Sequence, residues 1–257
     1  MTPDDARSVA GSQQGWKGAG RRALSIDDLD ALAAALGALG RLHLAPASAE
    51  ERADVVPLLE EWPLDALPVS EETAELARRA KALLAASLAD GETQEATAGD
   101  QDALYGISRG AIVPPFESVH RGEEGLVFDT HTLQVRQEFR AAGLRAPHLG
   151  REPDDHLGLE LEFVARCCAA AADSLGGGEA GAAGIQVERA RDFSVEHLLV
   201  WAPSMLQEAA AHARTNWMRG LCSLTLAALA TWVEAAGIEA PAGQPARVRI
   251  ARRQGWA

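Results

Sequence analysis

Apolar residues recur along this chain at helical spacing and hardly anywhere in strict alternation. Leu29, Leu32, Leu36 and Leu39 fall on one face of a helix expected over about 26–39. A second helix is expected from Ser48, with Glu51 three residues on and Val55, Leu58 and Leu59 following before Pro63. Serine with glutamate three residues later is the pattern of a reciprocal cap, each side chain bonding the other's backbone N–H. A third runs from Ser70 to about Ala89 and stops near Gly91, with Glu72, Glu75, Arg78 and Arg79 as its solvated face. Residues 92–99 are polar and read as a connector, ahead of a short helix over 100–105 and a long loop over 106–128. Thr130 to Ala142 is expected to be helical with Gly143 as its cap, and the loop 144–152 leads to a helix over about 154–175. Gly176 to Gly184 reads as a flexible linker. Helices over about 193–213 and 215–236 complete the pattern, and Pro203 is expected to kink or divide the first of them.

Composition agrees with that pattern. The chain is 47% hydrophobic but only 5% aromatic, and alanine and leucine dominate the apolar share. Both are strong helix formers, so the expected class is all-α, a bundle of about eight to ten helices. Residues 1–22 read as a disordered leader and 238–257 as an irregular tail. Between them an N-terminal helical subdomain (23–144) is expected to meet a C-terminal one (145–237) at a hinge before the 154–175 helix. No apolar run approaches the ~20 residues that span a bilayer. Arg21-Arg22 resembles an export signal, yet Asp27, Asp28 and Asp30 follow where an apolar stretch would stand, so a cytoplasmic location is expected. Cys167, Cys168 and Cys222 form no C-x-x-C pair and read as small buried hydrophobes rather than metal ligands.

Charge narrows the partners. A net charge of −13, with Lys17 and Lys81 the only lysines, repels phosphate backbones and excludes nucleic acid. The same surface steers basic partners such as an arginine-bearing peptide. Catalysis has little support. None of the seven histidines is followed by aspartate, and no G-x-x-x-x-G-K-[ST] loop occurs. Nothing in the sequence would hold a phosphate, and no cofactor is expected.

The richest chemistry lies in residues 152–163, E-P-D-D-H-L-G-L-E-L-E-F. Glu152, Asp154 and Asp155 mark a helix start, where acids complement the positive end of the helix dipole. His156 and Glu160 stand one turn apart. Asp154 or Asp155 can cap the helix, bind a ligand, or do both, and His156 can bond Glu160. Upstream, residues 104–120 read L-Y-G-I-S-R-G-A-I-V-P-P-F-E-S-V-H, and Glu117 and Arg136 are candidates for an ion pair. Downstream, Phe193, His197, Leu198, Trp201 and Pro203 form a third block, in which Trp201, like Trp217, reads as core.

Order and spacing of these blocks resemble the TorD/DmsD-type redox-enzyme maturation chaperones over roughly 100–235. In that family an L-F pair, a P-P-aromatic turn and a V-R helix precede an E-P-x-D-H helix. Two departures stand out: Gln101 occupies a position where the family pattern has an aromatic, and Tyr105 replaces the usual phenylalanine. The resemblance implies an all-helical, non-enzymatic cytoplasmic chaperone. Its partners would be a molybdenum enzyme's catalytic subunit and that subunit's twin-arginine leader. The long loops and linkers between helices allow a monomer or a domain-exchanged dimer. Residues of the kind such a site needs are carboxylates beside an apolar wall. Glu152, Asp154, Asp155, His156, Glu160 and Glu117 would supply the polar side, and Leu104, Tyr105, Pro114, Pro115 and Phe116 the apolar one. The alternatives are a generic helical adaptor and, less favoured, a metal-dependent hydrolase.

Overall fold

The computed structural model describes residues 22–106, 110–122, 125, 127–145 and 153–239. Among them the regular structure is helical throughout, as expected. The helices are α1 (Ile26–Leu44), α2 (Ala49–Leu58), α3 (Glu71–Ala89), α4 (Gln94–Tyr105), α5 (Glu117–Arg121), α6 (Thr130–Ala141), α7 (Leu157–Gly176), α8 (Ala180–Phe193), α9 (Leu199–His212) and α10 (Asn216–Ala236). The only extended pairing among the described residues is an isolated antiparallel bridge between Phe116 and His156. No described helix is long and apolar enough to cross a membrane.

Two antiparallel partnerships build the core: α1 lies along α7, and α3 lies along α10, with α8 against α7 and α9 against α10. Leu29, Leu32, Leu36 and Leu39 are all buried on the inner stripe of α1, and Leu157, Leu161, Val164 and Cys168 supply the facing stripe of α7. The two helices cross at glycine. A Cβ on Gly158 would stand 2.5 Å from the Gly40 carbonyl oxygen, and one on Gly40 would stand 2.7 Å from that of Gly158. Trp201, Trp217 and Trp232 are buried, as expected for the first two. Cys167, Cys168 and Cys222 are buried free thiols, and burial pushes the Cys222 thiol up to about 12.

Capping explains most helix limits. Ser25 with Asp28 and Ser48 with Glu51 form complete capping boxes at the starts of α1 and α2. The Glu234 carboxylate accepts from Ser70 N and Oγ and from Thr73 Oγ1, tying the start of α3 to the end of α10. Gly237, at φ +60°, ends α10 in the left-handed cap that glycine adopts without penalty.

Several expectations need correction. Residues 92–99 are not a connector: Thr93 caps α4, which begins at Gln94. The inner face of α4 is polar, because the buried Asp100 carboxylate accepts from Arg214 N, Thr215 N and Thr215 Oγ1 at the start of α10. The glycine-rich stretch 176–184 is mostly helix as well, with a turn at 177–179 between α7 and α8. The break expected at Pro203 falls earlier, in a single π turn over Ser194–Leu198, and α9 then runs through Pro203. Proline has no N–H to give the Leu199 carbonyl one turn back, so the helix forgoes that one bond as it passes Pro203. The long loop 106–128 contains the short helix α5. The calls on the 1–22 leader and the tail beyond 239 lie outside the described residues, apart from Arg22, which pairs with Asp28.

Candidate functional site

The E-P-D-D-H segment does not begin as helix. Pro153 to Asp155 form a turn, and α7 starts only at Leu157, with His156 as its N-cap. Neither aspartate caps it, because both are engaged elsewhere. The segment instead lies antiparallel to the loop before α5: Glu117 N donates to Asp155 O at 3.0 Å and Leu157 N to Pro115 O at 2.9 Å. His156 Nδ1 accepts from Gly158 N at 3.0 Å, so its link runs to the backbone and not to Glu160. Its ring meets Phe116 edge-on at 5.2 Å between centroids.

Asp154, Asp155 and Glu160 are spent inside the molecule. Asp155 is fully buried; Oδ2 accepts from Ser118 N at 2.7 Å and Oδ1 from Thr132 Oγ1 at 2.7 Å, which joins α5 and α6 to the head of α7. Asp154, 1% exposed, pairs with Arg136 on α6. Glu117 therefore does not pair with Arg136; it pairs with Arg121, and His197 Nδ1–H donates to it at 3.0 Å. Arg121 also donates to Glu196 O at 2.8 Å, holding α5 to the π turn. Glu160 accepts from Trp201 Nε1 at 3.0 Å. Burial, with Glu117 and Asp155 beside it, pushes the Glu160 carboxyl well above the usual carboxylate range. Its Oε1 and Asp154 Oδ1 are buried with no partner among the described residues. These acids form the internal frame on which the loop sits.

A second buried relay lies behind Tyr105. The Thr225 hydroxyl donates to Leu221 O at 2.9 Å, so the 2.9 Å contact with His43 requires His43 Nε2–H as donor. That leaves Nδ1 to accept from Tyr105 Oη at 3.0 Å. Burial holds His43 down at about 3 and His156 at about 4. The unfolded chain takes up protons at both below about 6.5, whereas the fold excludes them until far lower pH. Their contribution to stability is therefore complete above pH 6.5 and lost as pH falls toward the folded values. His43 alone should cost the fold roughly 2 kcal/mol between about pH 6.5 and about pH 5. Urea unfolding across that range should show the slope, and His43→Gln should reduce it, leaving the part due to His156.

In front of Tyr105 a cleft of about 290 Å³ opens where the ends of α1 and α4 meet the paired segments 115–116 and 153–156. Leu44 and Pro46 form one side, Pro115, Phe116 and Pro153 another, and Tyr105, His156 and Leu159 the back. Gln101, Asp102 and Gly106 complete it; among the described residues Asp102 is the only carboxylate that lines it, and no described lysine or arginine does. Of the residues expected at a site, the structure brings Tyr105, Pro115, Phe116 and His156 together here. Leu104 is in the core, and Glu117, Asp154, Asp155 and Glu160 are in the frame behind. Pro114 is half-buried and its carbonyl accepts from His120 Nε2–H at 2.6 Å. Glu152 lies outside the described residues. Sequence reasoning did not find Leu44, Pro46, Asp102 or Leu159. Asp102 carried a signal, standing one helical turn before Tyr105 and so on its face. Among the described residues no group of three or more His, Cys, Asp or Glu is placed to hold a metal.

Comparison with known proteins agrees with these blocks. The family model of the nitrate reductase delta subunit matches residues 66–207, which include α4, the paired segments and α7. The chaperone protein TorD of Vibrio cholerae serotype O1 (strain M66-2) is 28% identical over 93 residues, 36% of this chain and 40% of that protein. The chain thus spans well under half the length of its TorD relatives. The Tat proofreading chaperone DmsD of Salmonella typhi is 27% identical over 219 residues, 81% of this chain and 91% of that protein. With its family model covering more than half of the sequence, this chain belongs to the nitrate reductase delta subunit family, as a member of TorD/DmsD type.

Proposed function

We propose that this chain is a maturation chaperone that captures an arginine-pair leader peptide of a molybdenum oxidoreductase's catalytic subunit in the cleft beside Tyr105. The observation that carries this reading is the make-up of that cleft among the described residues: apolar and aromatic walls, with Asp102 as the one charged side chain. A leader with two arginines ahead of an apolar segment needs such a surface, where the apolar side chains bury area and a carboxylate answers a guanidinium. The net charge of −13 adds long-range attraction for a basic peptide. The buried acids contribute by holding the loop 113–116 against α7, so the cleft exists before the peptide arrives and little ordering cost opposes binding. Holding the leader would keep the client in the cytoplasm while its cofactor is inserted.

Calorimetric titration with a peptide carrying an arginine pair and an apolar segment tests the proposal. Wild type should bind it, and Pro46→Arg, at the exposed rim, should weaken binding about tenfold by adding like charge. Absence of binding by wild type, or equal binding by the variant, would count against the cleft.

A further inference from the structure

Asp154, Asp155, Glu160 and Glu117 cannot meet a guanidinium in this cleft without dismantling the frame, because each is buried and engaged by the chain itself. Asp102 differs from them in every respect. It is exposed, lines the cleft, and has no hydrogen bond or ion pair from its side chain among the described residues. It also stands in the last turn of α4, where a carboxylate faces the negative end of the helix dipole and weakens the helix. A residue that opposes its own helix and pairs with nothing described has no evident structural task.

Gly106 stands beside this carboxylate. A Cβ on it would stand 2.4 Å from the Asp102 carbonyl oxygen and 2.5 Å from Asp102 Oδ1, so the carboxylate in its present position rests against a residue with no side chain. The φ of Gly106 is −64°, which any residue adopts, so space and not backbone conformation demands the glycine. The neighbouring wall supplies a second, independent sign of a ligand. Gln101 is 4% exposed, and its amide nitrogen donates to Leu42 O at 3.1 Å and His43 O at 3.2 Å. Both amide hydrogens are thereby used and the flip state is fixed, which leaves Oε1 as an acceptor, buried with no partner among the described residues.

We infer that Asp102 is the specificity-determining carboxylate of the cleft, pairing with an arginine side chain of the bound peptide, with Gln101 as the acceptor beside it. The inference rests on the cleft being the peptide site. A single carboxylate with one amide oxygen is too sparse a set for a metal ion, which takes several oxygen or nitrogen ligands. It suits a guanidinium, a flat fork of five N–H donors that also stacks on aromatic walls such as Tyr105 and Phe116.

A thermodynamic cycle on the full chain tests it. Wild type and Asp102→Asn are titrated with the arginine-pair peptide and with the same peptide carrying citrulline at both arginines, which keeps the shape and removes the charge. Wild type should bind the arginine peptide about fivefold tighter than the citrulline peptide, whereas Asp102→Asn should bind the two alike. The melting temperature of Asp102→Asn should match or slightly exceed that of wild type, since an acid leaves a helix C-terminus; a structural role would lower it. If both proteins lose the same factor on citrulline substitution, arginine is read elsewhere and the inference fails while the cleft reading stands. If wild type binds neither peptide, the cleft reading fails and takes this inference with it.

Discussion

Asp155→Ala should destabilise the protein by about 3–5 kcal/mol, the usual cost of removing one side of a buried charged hydrogen-bond set. The substitution removes both side-chain acceptors at once. Ser118 N and Thr132 Oγ1 would each be left in a water-free interior without the partner they now have at 2.7 Å. The damage should spread to the site, because those two bonds hold α5 and α6 against the head of α7. The backbone bonds from Glu117 to Asp155 and from Leu157 to Pro115 would then have to carry the loop alone. Denaturant unfolding measures the loss, and peptide affinity should fall with it even though Asp155 lies behind the cleft. A variant within 1 kcal/mol of wild type would show that the carboxylate is not the clasp described here.

Gly158→Ala should be nearly as damaging, by about 3 kcal/mol, for a purely steric reason. The new methyl would stand 2.5 Å from the Gly40 carbonyl and 2.6 Å from Leu44 Cγ. A flexible side chain could move aside, but a helix backbone cannot, so α1 and α7 must separate. That separation reaches the cleft directly, since Leu44 and Pro46 at the end of α1 face His156 and Leu159 at the start of α7. The melting temperature should drop by roughly 6–10 °C. Gly184→Ala is the matched control: a Cβ there meets nothing within 4 Å, and a mid-helix glycine replaced by alanine should gain about 0.5–1 kcal/mol.

Much of the fold was legible because helix faces and caps are local. The Leu29-Leu32-Leu36-Leu39 stripe, the Ser48-x-x-Glu51 box and the Ser70 start each lie within a few residues of one another, where spacing alone decides. The start of α4 was missed because its buried face carries Thr97, Asp100 and Gln101; the partners of Gln101 lie at the end of α1 and those of Asp100 at the start of α10. Spacing of apolar residues cannot show a face that is buried through polar bonds. Glycines misled at 176–184 for the converse reason: their low helix propensity is outweighed by packing of α8 against α7.

The site was half legible. The motif blocks placed Tyr105, Pro115, Phe116 and His156 in one region, and the structure gathers them in one cleft. The acids looked surplus in sequence because their partners are remote: Asp155 bonds residues 37 and 23 positions upstream. An acid-rich helix start and an internal clasp have the same sequence until those partners are known. Asp102 went unnoticed for the opposite reason, as an ordinary acid in a polar stretch whose importance appears only when its neighbours are seen to line a cleft.

Amide hydrogen exchange on the full chain, with and without the arginine-pair peptide, tests the central claim most directly. Backbone amides respond to burial and hydrogen bonding on binding, and so map the contact without any substitution. Added peptide should slow exchange at 42–47, 101–106, 115–118 and 155–160, and leave α8 and the outer face of α3 unchanged. Protection centred elsewhere, or none at peptide concentrations that saturate the calorimetric signal, would contradict the account.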